Sequence, residues 1–190
     1  MSSQQRDIEH LNQKVLLFIA ELDELHTTTR YLAIHPNVCK QLKHASAGGC
    51  RAAITCGIPL VALQQQVVDD LSDTQLLLRR PGVFRDDLPE PLGEINFLAL
   101  LLAQRLTWQK PHLAALYFSL EIPQLEVIAD VGPTDLQAYA AHCPHVVQIR
   151  GGATPALWER IMIGEKIGGP RGVRLSHDAA LLSLDAQSAG

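Results

Sequence analysis

The sequence predicts a mostly α-helical protein made of two similar helical halves, each with one short β-strand. Leu and Ala are abundant, and apolar residues make up 47% of the 190 residues, which favours helices around an aliphatic core. The segments LNQKVLLFIAEL at 11–22 and INFLALLLAQRL at 95–106 place Asn and several Leu at matching positions 84 residues apart. Two short apolar runs, PLVALQ and HVVQIR, match at an offset of 86. Together these observations indicate an internal duplication.

The first half is expected to consist of helices interrupted by one strand. Apolar residues at helical spacing predict the helices, and a brief apolar run between turn residues predicts the strand. Pro36 is expected to break the second helix, and the threonines at 27–29 are suited to cap it. In chain order, the predicted elements are helices over 6–25, 29–45 and 49–55, a strand over 59–64, and a helix over 67–80.

A linker is expected between the halves, because RPGVFRDDLPEPLG at 80–93 contains three prolines and two glycines. The second half then repeats the order of the first, with prolines suited to start several of its helices. Its predicted elements are helices over 94–109, 111–119, 123–130 and 133–142, a strand over 145–150, and a helix over 155–163. The predicted organisation is a first repeat over 1–79, the linker, a second repeat over 94–163, and a flexible tail over 164–190.

The duplication has a simple physical interpretation, which is an intramolecular pseudo-dimer. One copy leaves an apolar face that a second copy must cover, and most such pairs are two-fold. Fusing the copies raises the effective concentration of the second to roughly millimolar or above. The residues expected to form the buried seam of this pseudo-dimer are Leu16, Leu17, Leu22, Leu100, Leu101 and Leu106.

Charge and cysteine content indicate a cytoplasmic protein in which any contact with nucleic acid is local or shared with a partner. The net charge is −4, whereas proteins that bind nucleic acid unaided usually have a basic balance or a basic stripe. The start of the chain lacks the pattern of a secretory signal, and the longest apolar run, 97–103, is too short to span a bilayer. The four cysteines form no CxxC pair, so we expect them to be reduced.

Motifs typical of catalysis, metal binding or phosphate binding are weak. HCPH at 142–145 offers Cys and His ligands, but its spacing matches no structural zinc pattern, so a turn before a strand is the favoured interpretation. Ser176, His177 and Asp178 are adjacent in sequence, and neighbours rarely converge on one reacting atom. GGCRAA and IGGPRG do not continue into a P-loop. We therefore expect no enzyme activity, metal or cofactor.

Basic residues concentrate after each predicted strand, although most individual surface charges are simply solvated. Arginine is the usual contact to phosphates and base edges, so this set is the candidate for DNA contact. Its members are Arg79, Arg80, Arg150, Arg160, Lys166, Arg171 and Arg174. The short helices of the second half lack basic residues at the position of a recognition helix, because DLQAYAAH carries none besides His142.

The second half resembles a known family over about 95–150. The string LLLAQRL, the short helix LAALYFSL, and the pattern Thr134, Leu136, Ala140 before the strand are similar to the core of the FlhD family, the D subunits of a bacterial flagellar master activator. Through the internal repeat the likeness extends weakly to 8–64. The family's strand cysteine is matched here by Ala62 and Gln148, so no bridging disulfide is expected.

The resemblance implies a mostly helical dimer-forming fold and a role in transcription activation. It implies a FlhC-like or other DNA-binding partner subunit, with promoter DNA bound through the complex, which fits the net charge of −4. A tandem version would be a pre-fused D dimer, typical of a regulator of transfer genes on an integrative conjugative element. Association into a higher oligomer stays open, and no membrane contact is expected. The alternative is an adaptor or chaperone that uses the same pseudo-dimer without DNA.

Overall fold

The fold is mostly helical, with one small two-stranded sheet. The computed structural model describes residues 2–21, 31–72, 88–152 and 154–167, with side chains described as far as Ile161. The described helices are α1 Ser3–Glu21, α2 Pro36–Lys43, α3 Ala47–Ile54, α4 Gln66–Ser72, α5 Glu90–Gln109, α6 Pro111–Phe118, α7 Ile122–Asp130, α8 Pro133–His142 and α9 Pro155–Ile167. The strands are β1 Val61–Leu63 and β2 Val147–Ile149.

Most helix starts follow from local sequence signals. Pro36 begins α2 and so marks the predicted break, because proline fits the first turn, where no N–H donor is needed. The preceding His35 accepts the Asn37 N–H through Nδ1 at 3.1 Å. At the start of α3, Ser46 Oγ accepts the Gly49 N–H at 3.1 Å, a standard N-cap bond. These caps separate α2 from α3 and fix two short helices in place of one long one.

Of the boundaries that differ from the sequence-based expectation, two fall within the predicted linker and the predicted tail. Helix α5 begins at Glu90, four residues before the predicted start, because Pro91 is tolerated in a first helical turn. Helix α9 continues to Ile167, beyond the predicted end at 163 and into the predicted tail. The threonines at 27–29 and the predicted helix beyond Ser72 lie outside the described residues.

The two strands lie where the apolar runs predicted them and pair with each other. The Gln64 N–H donates to Val146 O at 3.0 Å, and the Arg150 N–H donates to Leu60 O at 2.8 Å. Residue numbers therefore rise along one strand as they fall along the other, so the pairing is antiparallel. β1 is buried at all three positions, which explains its continuous apolar sequence.

The chain divides into two compact units, neither of which coincides with one predicted repeat. Unit 1 comprises residues 1–60 and 149–190, and unit 2 comprises residues 61–148. In unit 1, α1 packs against α2 and α3, and α9 packs against the same two helices. In unit 2, α5 packs against α6, α7 and α8, and α4 packs against α7. Each unit thus combines segments from both sequence halves.

A buried asparagine on α1 holds the segment that leads into β1. The Asn12 side chain is completely buried. Its Nδ2 donates to Ile54 O at 3.2 Å and to Ile58 O at 2.9 Å, while its Oδ1 accepts the Leu60 N–H at 2.8 Å. Because the amide is satisfied on both sides, it fixes the path of the chain between the end of α3 and the strand.

A second buried asparagine lies in unit 2. Asn96 lies on α5 and is also completely buried. Its Nδ2 donates to Ala140 O at 3.2 Å and to Cys143 O at 3.0 Å, at the end of α8. Asn96 Oδ1 has no hydrogen-bond partner among the described residues, whereas Asn12 Oδ1 accepts the Leu60 N–H. Asn12 is thus bonded through both ends of its amide, whereas Asn96 is bonded only through its donor end among the described residues.

The turn after β2 requires glycine. Gly151 has a φ of +60°, a conformation that side chains with a Cβ rarely adopt. A Cβ on Gly152 would lie 2.8 Å from Ala33 O, and the His35 N–H donates to Gly152 O at 2.8 Å. Gly151 therefore allows the backbone conformation of the turn, and the lack of a side chain at Gly152 allows the turn to approach the segment before α2. None of the helices in the described ranges is long and apolar enough to cross a membrane.

Candidate functional site

The seven residues predicted to contact DNA fall into different environments. Arg160 is exposed on α9. Lys166 also lies on α9, but its side chain is outside the described part of the structure. Arg150 is buried, with 2% of its surface exposed. The other four predicted contacts lie outside the described residues: Arg79, Arg80, Arg171 and Arg174.

Arg150 is placed as an internal structural group. Its Nε donates to Pro59 O at 3.3 Å, next to the start of β1. Burial lowers the pKa of Arg150 to about 10, and the nearby Cys56 raises it slightly, so the guanidinium is still charged at neutral pH. The Arg150 guanidinium is therefore held in the interior of unit 1.

The residues predicted to form the pseudo-dimer seam are buried to different degrees. Leu100 and Leu106 on α5 are completely buried in unit 2. Leu16 and Leu101 are half-buried, and Leu17 is 47% exposed. Leu22 lies outside the described residues. The helical face that is most deeply buried on α1 therefore runs through Ile8, Leu11, Val15, Phe18 and Ile19.

Gln104, inside the LLLAQRL string, has a structural role. It is 4% exposed, and its Nε2 donates to Ala129 O at 3.1 Å and to Val131 O at 2.8 Å. These carbonyls lie at the end of α7, where helical carbonyls lack partners within the helix. A polar residue in an apolar stretch of α5 is thus explained by the helix end that it satisfies.

A buried polar cluster in unit 2 joins α4 to α8. The Tyr139 hydroxyl donates to Asp70 Oδ2 at 2.8 Å. Burial is the main cause that raises the pKa of Tyr139 above its usual range, and the Asp70 carboxylate adds to the effect. Burial likewise raises the pKa of the neighbouring Cys143 thiol to about 12. A tyrosine and a thiol that stay protonated suit a structural link better than nucleophilic chemistry.

The HCPH segment is organised as the end of a helix. His142 Nδ1 lies 2.8 Å from Ala138 O in its own helix, and Cys143 is buried while His145 is exposed. Across the described ranges, no group of three or more His, Cys, Asp or Glu side chains is arranged to hold a metal ion. The segment therefore ends α8 and leads into β2.

Sequence reasoning missed a basic surface on α2 and α3. The stretch 31–68 contains no Asp or Glu, although acidic residues outnumber basic ones in the whole chain. Lys40, His44 and Arg51 in this stretch are exposed. The absence of Asp and Glu from this segment marks the basic surface in the sequence, but the negative net charge of the whole chain conceals it.

Apolar exposure is confined to a few positions. Among the described residues, the exposed large apolar side chains are Leu17 at 47%, Trp108 at 66% and Leu116 at 45%. Trp108 lies in the last turn of α5 and Leu116 lies on α6, so two of the three belong to unit 2. Exposure of the large apolar Trp ring to water is unfavourable, and Trp residues are enriched at protein interfaces.

Comparison of the chain with protein-family models, curated proteins and solved structures found no match.

Proposed function

We propose that this chain is a non-enzymatic subunit of a heteromeric transcription activator. In this proposal it is a tandem FlhD-like protein that acts with a FlhC-like or other DNA-binding partner in the cytoplasm and controls transfer genes of a mobile element. The observation that carries the proposal is the LLLAQRL-containing second half, whose Gln104 and Asn96 form buried bonds that the fold needs. The family likeness therefore falls on residues with identifiable structural roles.

The two asparagines support the duplication on which the proposal depends. Asn12 and Asn96 occupy matching positions of the aligned helices. Each donates from its side-chain amide to carbonyl oxygens at the end of a later helix, and each lies ahead of a strand. The strands match at the predicted offset, Val61–Leu63 with Val147–Ile149. Two copies of one ancestral fold would produce this recurrence of both sequence and bonding.

The helices that follow the strands support a pseudo-dimer with exchanged segments. α9 follows β2 in the second half, yet within unit 1 it packs against α2 and α3 of the first half. α4 follows β1 in the first half, yet within unit 2 it packs against α7 of the second half. This reciprocal arrangement is what an interlocked homodimer becomes when its two chains are fused.

Co-purification with the partner tests the proposal. The chain is expressed with the adjacent reading frames of its own genome and purified through a tag on this chain alone. We expect a stable complex that binds promoter DNA at physiological salt, with an affinity that falls as salt rises. This chain by itself is expected to show no binding at the same salt concentration. A complex that is indifferent to DNA at every salt concentration contradicts the activator role.

One observation favours the alternative of a protein adaptor or chaperone. Trp108 and Leu116 are exposed in unit 2, which has eleven acidic and five basic residues. An acidic surface with exposed apolar groups is better suited to a protein than to DNA. If the adaptor role is correct, Trp108→Ser lowers the yield of the co-purified protein, and that protein shows no affinity for DNA.

A further inference from the structure

The charges of the chain are divided unequally between the two units. Unit 1 contains eleven basic and nine acidic residues, whereas unit 2 contains five basic and eleven acidic residues. The net charge of −4 therefore comes entirely from unit 2, and unit 1 is weakly basic. Net charge averaged over the chain conceals this asymmetry, which is a feature of proteins with a local nucleic-acid surface.

Within unit 1, the positive charge is most concentrated on α2 and α3. No Asp or Glu occurs between residues 31 and 60, so nothing within this segment neutralises its basic side chains. Lys40 and His44 are spaced by four residues along α2 and its end, and Arg51 is exposed on α3. We define these three exposed residues, which are close together in the sequence, as the basic face. Exposed positions between or beside them in the sequence include Asn37, Ser46 and Ala47.

The basic face is held on a rigid support. Val38, Cys39 and Leu42 occupy the opposite side of α2 and are buried. α9 packs against both α2 and α3, and Gln41 Nε2 donates to Glu159 Oε1 at 3.0 Å. Both helices are thus packed against α9, and they carry Lys40 and Arg51, while His44 follows the end of α2.

We infer that the basic face contacts the phosphate backbone of duplex DNA. This inference rests on the proposed function and deepens it, since it gives this acidic chain its own contact to DNA. Duplex DNA presents about one negative charge per 1.7 Å of its axis, so exposed Lys and Arg side chains on successive helices can each meet a phosphate. Such contacts position a protein on DNA without reading its sequence.

A protein partner fits this face less well than DNA does. The core of a protein interface is depleted of charge and enriched in aromatic and other apolar residues. The exposed large apolar side chains among the described residues are Leu17, Trp108 and Leu116, and none of them lies on α2 or α3. A face that offers Lys, His, Arg, Asn and Ser is the composition expected for contacts to phosphate and sugar oxygens.

The test is a titration of a labelled duplex of random sequence with the purified full-length chain at several low salt concentrations. The test variant carries Lys40→Gln and Arg51→Gln. The matched control carries Arg6→Gln and Lys110→Gln, which remove the same charge from exposed positions outside the basic face. A third variant, Lys40→Arg with Arg51→Lys, keeps the charge and shows whether charge or shape matters. Circular dichroism checks that all variants are folded.

We expect the wild-type chain to bind the duplex weakly at low salt. The test variant should bind roughly tenfold more weakly, and the slope of log affinity against log salt should fall by about 2, since roughly one unit is lost per phosphate contact. The control and the charge-keeping variant should stay close to wild type, within about twofold. Sedimentation of the same samples in the absence of DNA should show equal masses for all variants.

Three results would overturn the inference. The first is a wild-type chain that does not bind the duplex even at the lowest salt concentration. The second is an equal loss of affinity in the test and control variants, which would mean that only overall charge matters. The third is a loss of self-association in the test variant, which would assign the basic face to the acidic unit of a second copy. None of these results affects co-purification with a partner, so the proposed function is judged separately.

Discussion

At the scale of single residues, two buried asparagines bind the segments of chain that precede the strands. Asn12 uses both ends of its amide, whereas Asn96 uses only its donor end among the described residues. A buried polar group without a partner carries a desolvation cost, so the two sites should differ in their contribution to stability. Alignment of 11–22 with 95–106 placed Asn12 and Asn96 at matching positions. Only the structure shows that their hydrogen bonds differ.

Asn12→Ala is predicted to be more destabilising than Asn96→Ala. Loss of Asn12 leaves the Leu60 N–H buried without its acceptor, and we expect the free energy of unfolding to fall by about 2–4 kcal/mol. Loss of Asn96 removes two donors but also removes an unsatisfied oxygen, so the expected fall is about 1–2 kcal/mol. Urea unfolding of both variants measures the difference. Equal losses would mean that the acceptor bond of Asn12 adds no stability.

Buried thiols predict a loss of stability at alkaline pH. Burial raises the pKa of Cys56 from 9.0 to about 11 and that of Cys143 from 9.0 to about 12. Above pH 9 the unfolded chain therefore loses thiol protons that the folded chain retains. Because the unfolded state then binds fewer protons, the free energy of unfolding falls as pH rises, by up to about 1.4 kcal/mol per pH unit for each thiol.

A double variant, Cys56→Ala with Cys143→Ala, tests this pH dependence. The single variant Cys50→Ala is the control. The double variant is expected to show a smaller decline of unfolding free energy between pH 9 and pH 10 than wild type. Cys50 is only half-buried, and its variant controls for the removal of a cysteine as such. A double variant with the wild-type slope would show that the buried thiols are not the titrating groups.

The sequence shows that Arg150 and Arg160 are both basic, but it does not show which of them is buried. Arg150 and Arg160 look alike in the sequence, yet Arg150 is 2% exposed and bonded to Pro59, while Arg160 is exposed. Arg150 follows a strand whose turn, Gly151–Gly152, packs close to the chain at Ala33. A contact between residues so far apart in sequence leaves no trace in local composition, so the environment of Arg150 could not be inferred.

At the scale of elements, α5 shows how much a helical pattern leaves open. Its sequence is apolar on nearly every side, so spacing alone did not tell Leu100 from Leu101 as the residue that faces the core. In the structure Leu100 is completely buried and Leu101 is half-buried. The difference arises from which neighbouring helices pack on α5, and that depends on the whole fold.

Leu100→Ala is predicted to cost more stability than Leu101→Ala. Truncating a fully buried leucine leaves a cavity and should lower the free energy of unfolding by about 2–5 kcal/mol. Truncating the half-buried Leu101 should cost about 1 kcal/mol, because less apolar surface is lost from the interior. Thermal and urea unfolding provide the comparison. A larger loss at Leu101 would mean that the assigned face of α5 is wrong.

The bond between Tyr139 and Asp70 is predicted to stabilise the packing of unit 2. Tyr139→Phe removes a hydrogen bond to a carboxylate, and we expect a loss of about 1.5–3 kcal/mol. Asp70→Asn should have a related effect, whereas Asp69→Asn changes the same charge at an exposed neighbour and should be nearly neutral. A double-mutant cycle isolates the Tyr139–Asp70 term. A coupling energy near zero would show that the contact contributes no stability.

Element positions were largely predictable, because turn and start signals are local. Both strands and the helices that begin at Pro111, Pro133 and Pro155 lie where the sequence indicated. The early start of α5 was missed because a proline-rich segment was read as a linker. The packing of α4 against α7 and of α9 against α2 and α3 could not be predicted, since local periodicity does not specify a partner helix.

At the scale of the whole molecule, the proposed function depends on how the two sequence halves combine. Each compact unit contains segments from both halves, and the charge is divided so that one unit is basic and the other acidic. A fused dimer allows such divergence, because its two copies can change independently, whereas a homodimer must change both subunits at once. The proposed DNA contact and the proposed protein partner would then belong to different units.

The most direct test of this two-half architecture is co-purification of the halves as separate chains. Residues 1–87 and 88–190 are expressed together, with a tag on the first only. Because α9 packs on α2 and α3 while α4 packs on α7, we expect the untagged half to be retained in equal amount and the pair to unfold cooperatively. Two halves that purify apart, each folded and cooperative alone, would contradict the exchanged pseudo-dimer.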